Sequence, residues 1–171
     1  MKQIKKQKKQ ESGRSMIEMV GVLAVMGLIT AGAFVLISSA MKSQKTSRLD
    51  DDVSAIVAGV RLLYNSAENF SGLKNDALDV IGYGTDVKNP YGGNYYVAVD
   101  SADNTKFNVY VGGLSGGECK ALKGRNFPGG GDNVAGKGAI TVSNGALTVA
   151  SGDCTATTAT NSVQITYSKV Q

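Results

Sequence analysis

The sequence predicts an α+β fold in which one long N-terminal helix packs on an antiparallel β-sheet. Three observations lead to this prediction. An uncharged apolar run covers Met19–Ile37, apolar residues at helical spacing continue beyond it, and short strand-like stretches fill the second half of the chain. The 171 residues are enough for one globular domain in addition to such a helix.

The first part of the helix is long and apolar enough to lie in a membrane. At 1.5 Å per residue, Met19–Ile37 would extend about 28 Å, close to the ~30 Å hydrocarbon layer of a bilayer. Small residues occur within this part, namely Gly21, Gly27, Ala31 and Gly32. The four-residue spacing of Gly27 and Ala31 lets helix backbones approach closely. We therefore expect a transmembrane or filament-core segment at about residues 19–37, with these small residues at helix contacts.

The second part of the helix is predicted to have one apolar face and to continue to about Asn69. Its apolar stripe consists of Leu49, Val53, Ile56, Val57 and Val60. Charged residues such as Asp51, Asp52 and Arg61 lie largely off this stripe, so we interpret it as a core face that packs on the sheet. Gly72 is expected to follow the helix end, because glycine tolerates the left-handed conformation found there.

The rest of the chain is predicted to form a connecting loop and a sheet. Residues 70–94 are expected to form the loop, with a short helix at 74–80. The predicted strands are Tyr95–Val99, Phe107–Val111, Ala139–Val142, Ala146–Val149 and Val163–Tyr167. Asn144-Gly145 is a hairpin-turn signal between two of them. The glycine-rich stretch at Pro128 lacks the Lys-Ser/Thr of a phosphate-binding loop, so we expect a flexible surface loop there.

Composition argues against catalysis and against nucleic-acid binding. The chain has no histidine and only two cysteines, so we expect no enzymatic activity, no cofactor and no metal site. The net charge of +4 comes from the N-terminus, because residues 1–13 hold five lysines and one glutamate and leave 13 basic and 13 acidic residues in the remainder. A near-neutral remainder offers no basic face for phosphates.

A glycine and a glutamate frame the start of the apolar run, in the order Gly13-Arg14-Ser15-Met16-Ile17-Glu18. A carboxylate at the edge of a membrane-length helix is costly to bury and therefore indicates a function. The stretch resembles the class III signal peptide of type IV prepilins and pseudopilins. The resemblance implies the pilin fold, cleavage after Gly13 by prepilin peptidase, N-methylation of Arg14, and a role for Glu18 in assembly.

In that family, the glutamate neutralises the N-terminal amine of a neighbouring subunit. Such pairing is physically reasonable, because it offsets the desolvation of two charges at once. This chain departs from the family in offering Arg14 where the mature chain usually begins with an apolar residue. An ion pair between Arg14 and Glu18, four residues apart on one helix, is therefore an alternative.

A plain signal anchor is the simplest interpretation of the N-terminal segment. The lysines before Gly13 would then hold the cytoplasmic side by the positive-inside rule. They are Lys2, Lys5, Lys6, Lys8 and Lys9. This interpretation leaves Glu18 unexplained.

Two stretches of the head resemble type IVb major pilins. They are Asn89-Pro90-Tyr91-Gly92-Gly93, and Gly113-Leu114-Ser115 leading to Glu118-Cys119-Lys120-Ala121-Leu122. In those pilins the first cysteine opens a disulfide-bounded C-terminal region, which implies a bond between Cys119 and Cys154. Two cysteines in an exported chain are also more often paired than free. Two free thiols remain the alternative.

The resemblance implies a structural pilus subunit with a cleaved leader at residues 1–13, a helix at 14–69 and a head at 70–171. Its partners would be prepilin peptidase, the inner-membrane assembly machinery, and further copies of itself through the N-terminal helices. A host or cell-surface receptor is a further partner that the family suggests. The precursor would lie in the inner membrane and the assembled protein in an extracellular pilus, used for adhesion, aggregation, conjugation or motility.

A minor or tip pilin, or a secretion-system pseudopilin, is the alternative within the same family. Either would act as a membrane-anchored binding or export component. Both would share the signal, the helix and the disulfide, so the sequence does not separate them from a major subunit.

Overall fold

The structure, a computed structural model, describes residues 16–169, apart from the side chains of residues 132 and 133. Gly13 and Arg14 therefore lie outside the described residues. The chain divides into two units, one up to Lys42 and one from Ser43 onward. The elements are α1 (Met16–Leu63), α2 (Ala77–Val80), β1 (Tyr95–Val99), β2 (Lys106–Leu114), α3 (Gly116–Lys123), β3 (Gly131–Lys137), β4 (Ile140–Ser143), β5 (Ala146–Val149) and β6 (Asn161–Ser168).

Four of the strands form one antiparallel sheet, in the order β1-β2-β6-β3. One row across this sheet consists of Val97, Val109, Ile165 and Val134, which lie opposite one another in register. β4 and β5 form a separate two-stranded hairpin. Its turn has φ values of +51° at Asn144 and +75° at Gly145, as a primed hairpin turn requires. The Asn-Gly prediction is thus confirmed.

The core lies between the second half of α1 and one face of the sheet. The buried residues of α1 are Leu49, Val53, Ile56, Val57 and Val60, which is the predicted stripe. The sheet contributes alternate residues of β1, β2 and β6, including Val97, Phe107, Val109, Ile165 and Tyr167. The α+β prediction, with a helix packed on an antiparallel sheet, is confirmed.

A carboxylate on α1 accepts hydrogen bonds from two tyrosines of the head. The hydroxyl of Tyr95 donates to Asp52 at 2.6 Å, and that of Tyr83 donates at 3.3 Å. The two tyrosine rings meet edge to face, with centroids 5.9 Å apart. Burial, followed by the bond to Asp52, raises the pKa of Tyr95 far above its usual value. Asp52 thereby links the helix to both the connecting loop and β1.

Two further polar contacts join α1 to the C-terminal half of the head. Arg125, just after α3, forms an ion pair with Asp50 at 2.8 Å. Arg61 donates to the backbone carbonyls of Gly129 at 3.0 Å and Ser168 at 2.9 Å. These side chains flank the apolar stripe and are half-buried, so they add directional contacts to a face that is otherwise apolar.

The predicted disulfide between Cys119 and Cys154 is present, with 5.4 Å between the Cα atoms. Both cysteines are buried. The loop after Cys154 is held by Asn161, whose side chain accepts from the amide of Ala156 and donates to the carbonyls of Leu114 and Ala156. The disulfide therefore fastens α3 to a loop that is itself tied to the start of β6.

Three differences from the predictions concern the helices and the connecting loop. α1 ends at Leu63 rather than near Asn69, because the next turns tighten to three-residue hydrogen bonds such as Asn65 to Leu62 and Ala67 to Tyr64. Gly72 has the expected positive φ of +86°, but it lies in the loop beyond the helix end. The short helix expected at 74–80 is confined to α2.

A further difference concerns the glycine-rich stretch at residues 128–132 that was expected to be a surface loop, which is a turn only as far as residue 130. Residues 131–137 form the edge strand β3, paired along its length with β6. A side chain at Gly131 would come within 2.8 Å of Ile165. Small residues are needed there because this strand lies close against its neighbour.

Removal of the disulfide is expected to destabilise the head. The bond closes a loop with a sequence separation of 35, and the chain-entropy model gives about 4 kcal/mol for a loop of that size. Urea unfolding of the full chain in detergent should give a clearly lower midpoint for Cys119→Ser and Cys154→Ser. Ser151→Ala, in the same C-terminal loop, is the matched control and should unfold like the parent. Equal midpoints for all variants would show that the bond contributes nothing.

The head is expected to lose stability at alkaline pH. The pKa of Tyr95 is raised on folding, so its stabilisation is complete below the unfolded pKa of about 10 and is lost as the pH rises towards the folded pKa. The loss should approach about 1.4 kcal/mol per pH unit for this one group. Tyr95→Phe should reduce the slope of unfolding free energy against pH above 10. Tyr96→Phe, on the next residue, is the control, and an identical slope in both variants would contradict the assignment.

Candidate functional site

The first unit of the chain is an exposed apolar helical surface. Every residue of α1 from Met16 to Gln44 is exposed. Large apolar side chains lie on all sides, with exposures such as 75% for Leu28 and 65% for Phe34. Within residues 16–169, α1 is the one helix long and apolar enough to cross a membrane by length and composition. A surface of this kind requires lipid or other apolar helices around it.

The glycines of this surface have no packing role within the described chain. A Cβ placed on Gly21, Gly27 or Gly32 would meet no atom within 4 Å. At about 100° per residue, Gly21 and Gly32 lie within about 20° of each other, and Gly27 and Ala31 within about 40°. The small residues thus form two narrow seams on different sides of α1. The prediction that they are helix-packing positions is compatible with this geometry and remains a prediction.

Glu18 lies in the first turn of α1 and is exposed. Among residues 16–169, no side chain forms an ion pair or hydrogen bond with it. A carboxylate is favoured at a helix N-terminus, where the helix dipole is positive. Because Arg14 lies outside the described residues, the pair within one helix and the pair between subunits both remain open. Glu18 projects within about 60° of the Gly21 seam.

The two head stretches that resemble type IVb pilins meet in the structure. Asn89 is buried, and its side chain accepts from the amides of Tyr91 at 2.9 Å and Gly93 at 3.1 Å. The same side chain donates to the carbonyl of Gly112 at 2.9 Å. A Cβ on Gly93 would overlap that carbonyl, and Gly113 has a φ of +74° in the adjoining bulge of β2. The glycines allow two backbones to lie in direct contact.

The second stretch continues into α3 through a capping box. The amide of Ser115 donates to the carboxylate of Glu118 at 2.9 Å, and the Ser115 hydroxyl accepts from the Glu118 amide at 3.4 Å. The Ser-x-x-Glu spacing is readable in the sequence, although it was not used to place this helix. The box fixes the first turn of α3, which positions Cys119 for the disulfide.

The cysteines and the acidic side chains are the potential metal ligands among the described residues. Both cysteines are joined in the disulfide. Among residues 16–169, no group of three or more His, Cys, Asp or Glu side chains is placed to hold a metal ion. The exposed apolar part of α1 provides a surface for association. The head, separately, is stabilised by a disulfide.

Comparisons with known proteins find sequence similarity between this chain and pilins. The chain is 26% identical over 126 residues to the toxin coregulated pilin of Vibrio cholerae serotype O1, covering 66% of this chain and 56% of that protein. It is 32% identical over 113 residues to the major structural subunit of bundle-forming pilus of Escherichia coli O127:H6, covering 61% of this chain and 58% of that protein. The chain thus spans a little over half the length of these relatives.

The same figures of 32% identity over 113 residues hold for the corresponding subunit of Escherichia coli O111:H-. No family model and no solved structure matches the chain. The relatives are structural pilins, and the long apolar helix, antiparallel sheet and disulfide found here fit the pilin fold. On both sequence and architecture, this chain is similar to the type IVb pilins.

Proposed function

We propose that the chain is the structural subunit of a type IVb-like surface pilus. It is cleaved after Gly13, held in the inner membrane by residues 19–37, and polymerised through its N-terminal helix. The observation that carries this proposal is the exposed apolar surface of Met16–Ile37, whose glycines contact nothing else in the described chain. The pilin relatives support the same role.

The apolar surface favours two environments in succession. Burying apolar area contributes roughly 25 cal/mol per Å², so a helix exposed all round is stable only in lipid or among other helices. A single span satisfies this need in the membrane before assembly. In a filament, the same side chains pack on the N-terminal helices of neighbouring subunits, with the two glycine seams allowing close approach.

Glu18 gives the assembly step its selectivity. A lone carboxylate in an apolar bundle is strongly disfavoured, whereas one that meets a cation is not. Cleavage after Gly13 creates a new amine at Arg14, and the incoming subunit brings this cation to the Glu18 of a subunit already in the filament. An ion pair within one helix, between the guanidinium of Arg14 and Glu18, is the alternative to this contact. N-methylation of the amine leaves its charge in place.

Major and minor subunits share this mechanism and differ in abundance. One set of relatives is named as major structural subunits of a pilus, which favours a major subunit here. A minor or tip pilin, or a pseudopilin, would occur only in traces in sheared surface filaments. Abundance in such a preparation therefore separates the proposal from its alternatives.

Processing is expected to yield a chain that begins at Arg14. Intact-mass analysis of sheared filaments from the native host should show one dominant species of that length, lighter by two hydrogens for the disulfide and heavier by one methyl group if the amine is modified. Gly13→Val should leave the full-length precursor in the membrane, because a branched side chain replaces the residue at the cut. A dominant uncut chain in the parent, or a normally shortened Gly13→Val product, would contradict the proposed processing.

Loss of the carboxylate is expected to block assembly without blocking insertion. Glu18→Ala should be processed and retained in the membrane, while the amount of subunit in sheared filaments falls at least tenfold. Glu68→Ala is the matched control, since Glu68 is an exposed glutamate of the head, and it should assemble normally. Quantitative immunoblots of membrane and filament fractions measure both effects. Normal filaments from Glu18→Ala would refute the role assigned to this residue.

A further inference from the structure

A cavity of about 380 Å³ lies between the β4–β5 hairpin and the outer face of the sheet, on the side opposite α1. Tyr110 and Gln164, which are direct neighbours in the register of β2 and β6, line the sheet side. Leu147 and Val149 of β5 line the opposite side. The volume lies within the range of small-molecule sites. The sheet side thus contributes the polar groups of Gln164 and Tyr110, and β5 contributes two apolar side chains.

Two polar side chains that line this cavity, Asn108 and Asp100, already have hydrogen-bond partners within the protein. The hydroxyl of Thr166 donates to Asn108 at 2.7 Å, and the amide of Asn108 donates to Asp100 at 3.0 Å. Asp100 also accepts from the backbone amides of Ala102 and Asp103. The bond from Asn108 is the main reason that the pKa of Asp100 lies below its usual value. Most of the acceptor capacity of this carboxylate is thus taken up.

Other polar groups of the cavity have no partner. Among residues 16–169, the side chains of Gln164 and Lys137 form no hydrogen bond or ion pair, although both line the cavity. An amide and an ammonium together offer an excess of donors and a positive charge. Lys137 is on β3 and Asp100 follows β1, which are the two edge strands, so about 14 Å of sheet width separates their strands. The positive end of the cavity is therefore well separated from Asp100.

We propose that this cavity binds a small organic carboxylate. Its carboxylate group pairs with Lys137 and accepts from Gln164, while its apolar body lies against Leu147 and Val149. A charge-assisted bond to an ammonium and a second bond to an amide supply orientation, and the apolar wall supplies affinity. All residues that line the site belong to the head.

The test uses 4-fluorobenzoate as the probe and the full chain in detergent as the protein. Fluorine NMR line width and shift, followed against protein concentration, give the dissociation constant. We expect saturable binding, and at least tenfold weaker binding of 4-fluorobenzamide, which has the same shape without the charge. Lys137→Met and Gln164→Leu should each weaken 4-fluorobenzoate binding, with a loss of at least tenfold for Lys137→Met.

The matched control is Lys74→Met, which removes an exposed lysine that does not line the cavity. It should bind 4-fluorobenzoate like the parent, which also accounts for partition of the probe into detergent. The unfolding midpoint of each variant in urea verifies that the head is folded. Any of three results would overturn the proposal. They are the absence of saturable binding, equal binding of 4-fluorobenzamide and 4-fluorobenzoate, and equal effects of Lys74→Met and Lys137→Met.

Discussion

Packing of the apolar stripe of α1 on the inner face of the sheet is the interaction on which the head depends. Leu49, Val53 and Ile56 are fully buried against strands whose inward residues are also fully buried. Neither surface is stable in water alone, because a half-buried sheet needs a covering layer and an amphipathic helix needs a partner. This packing makes the folded head possible. Further stabilisation comes from the disulfide, the capping box and the asparagine contacts.

Much of this architecture could be predicted from the sequence, because the spacing of apolar residues along a helix or strand indicates which face is buried. The five buried residues of α1 match the predicted stripe, and the bounds of β1 and β5 were predicted to the residue. β3 was missed because its sequence, Gly-Asp-Asn-Val-Ala-Gly-Lys, is poor in strand formers. It is a strand through its pairing with β6, and tertiary pairing of that kind overrides local propensity.

Residues that act through distant backbone groups were harder to foresee. Asn89 and Asn161 are both buried, and each donates to a carbonyl far away in the sequence, that of Gly112 and that of Leu114 respectively. Asn89 lies in a stretch that resembles type IVb pilins, but neither long-range contact was predicted. The helix end was overestimated because Tyr64–Asn69 contains no strong helix breaker. For the candidate assembly surface, hydropathy and the Gly13–Glu18 spacing carry the prediction, and the proposed contacts with other copies are not part of a single chain.

The polar contacts along the second half of α1 have a mechanical consequence. Asp50, Asp52 and Arg61 each reach a different part of the head, and residues 43–63 of α1 share no backbone hydrogen bond with the strands described here. A force that pulls α1 along its axis would therefore load the contacts between residues 43–63 and the head in shear. That load would be shared by many side chains. A joint loaded in shear yields only when its contacts fail together, whereas a joint that is peeled yields one contact at a time, so the head is built to resist a pull along the helix.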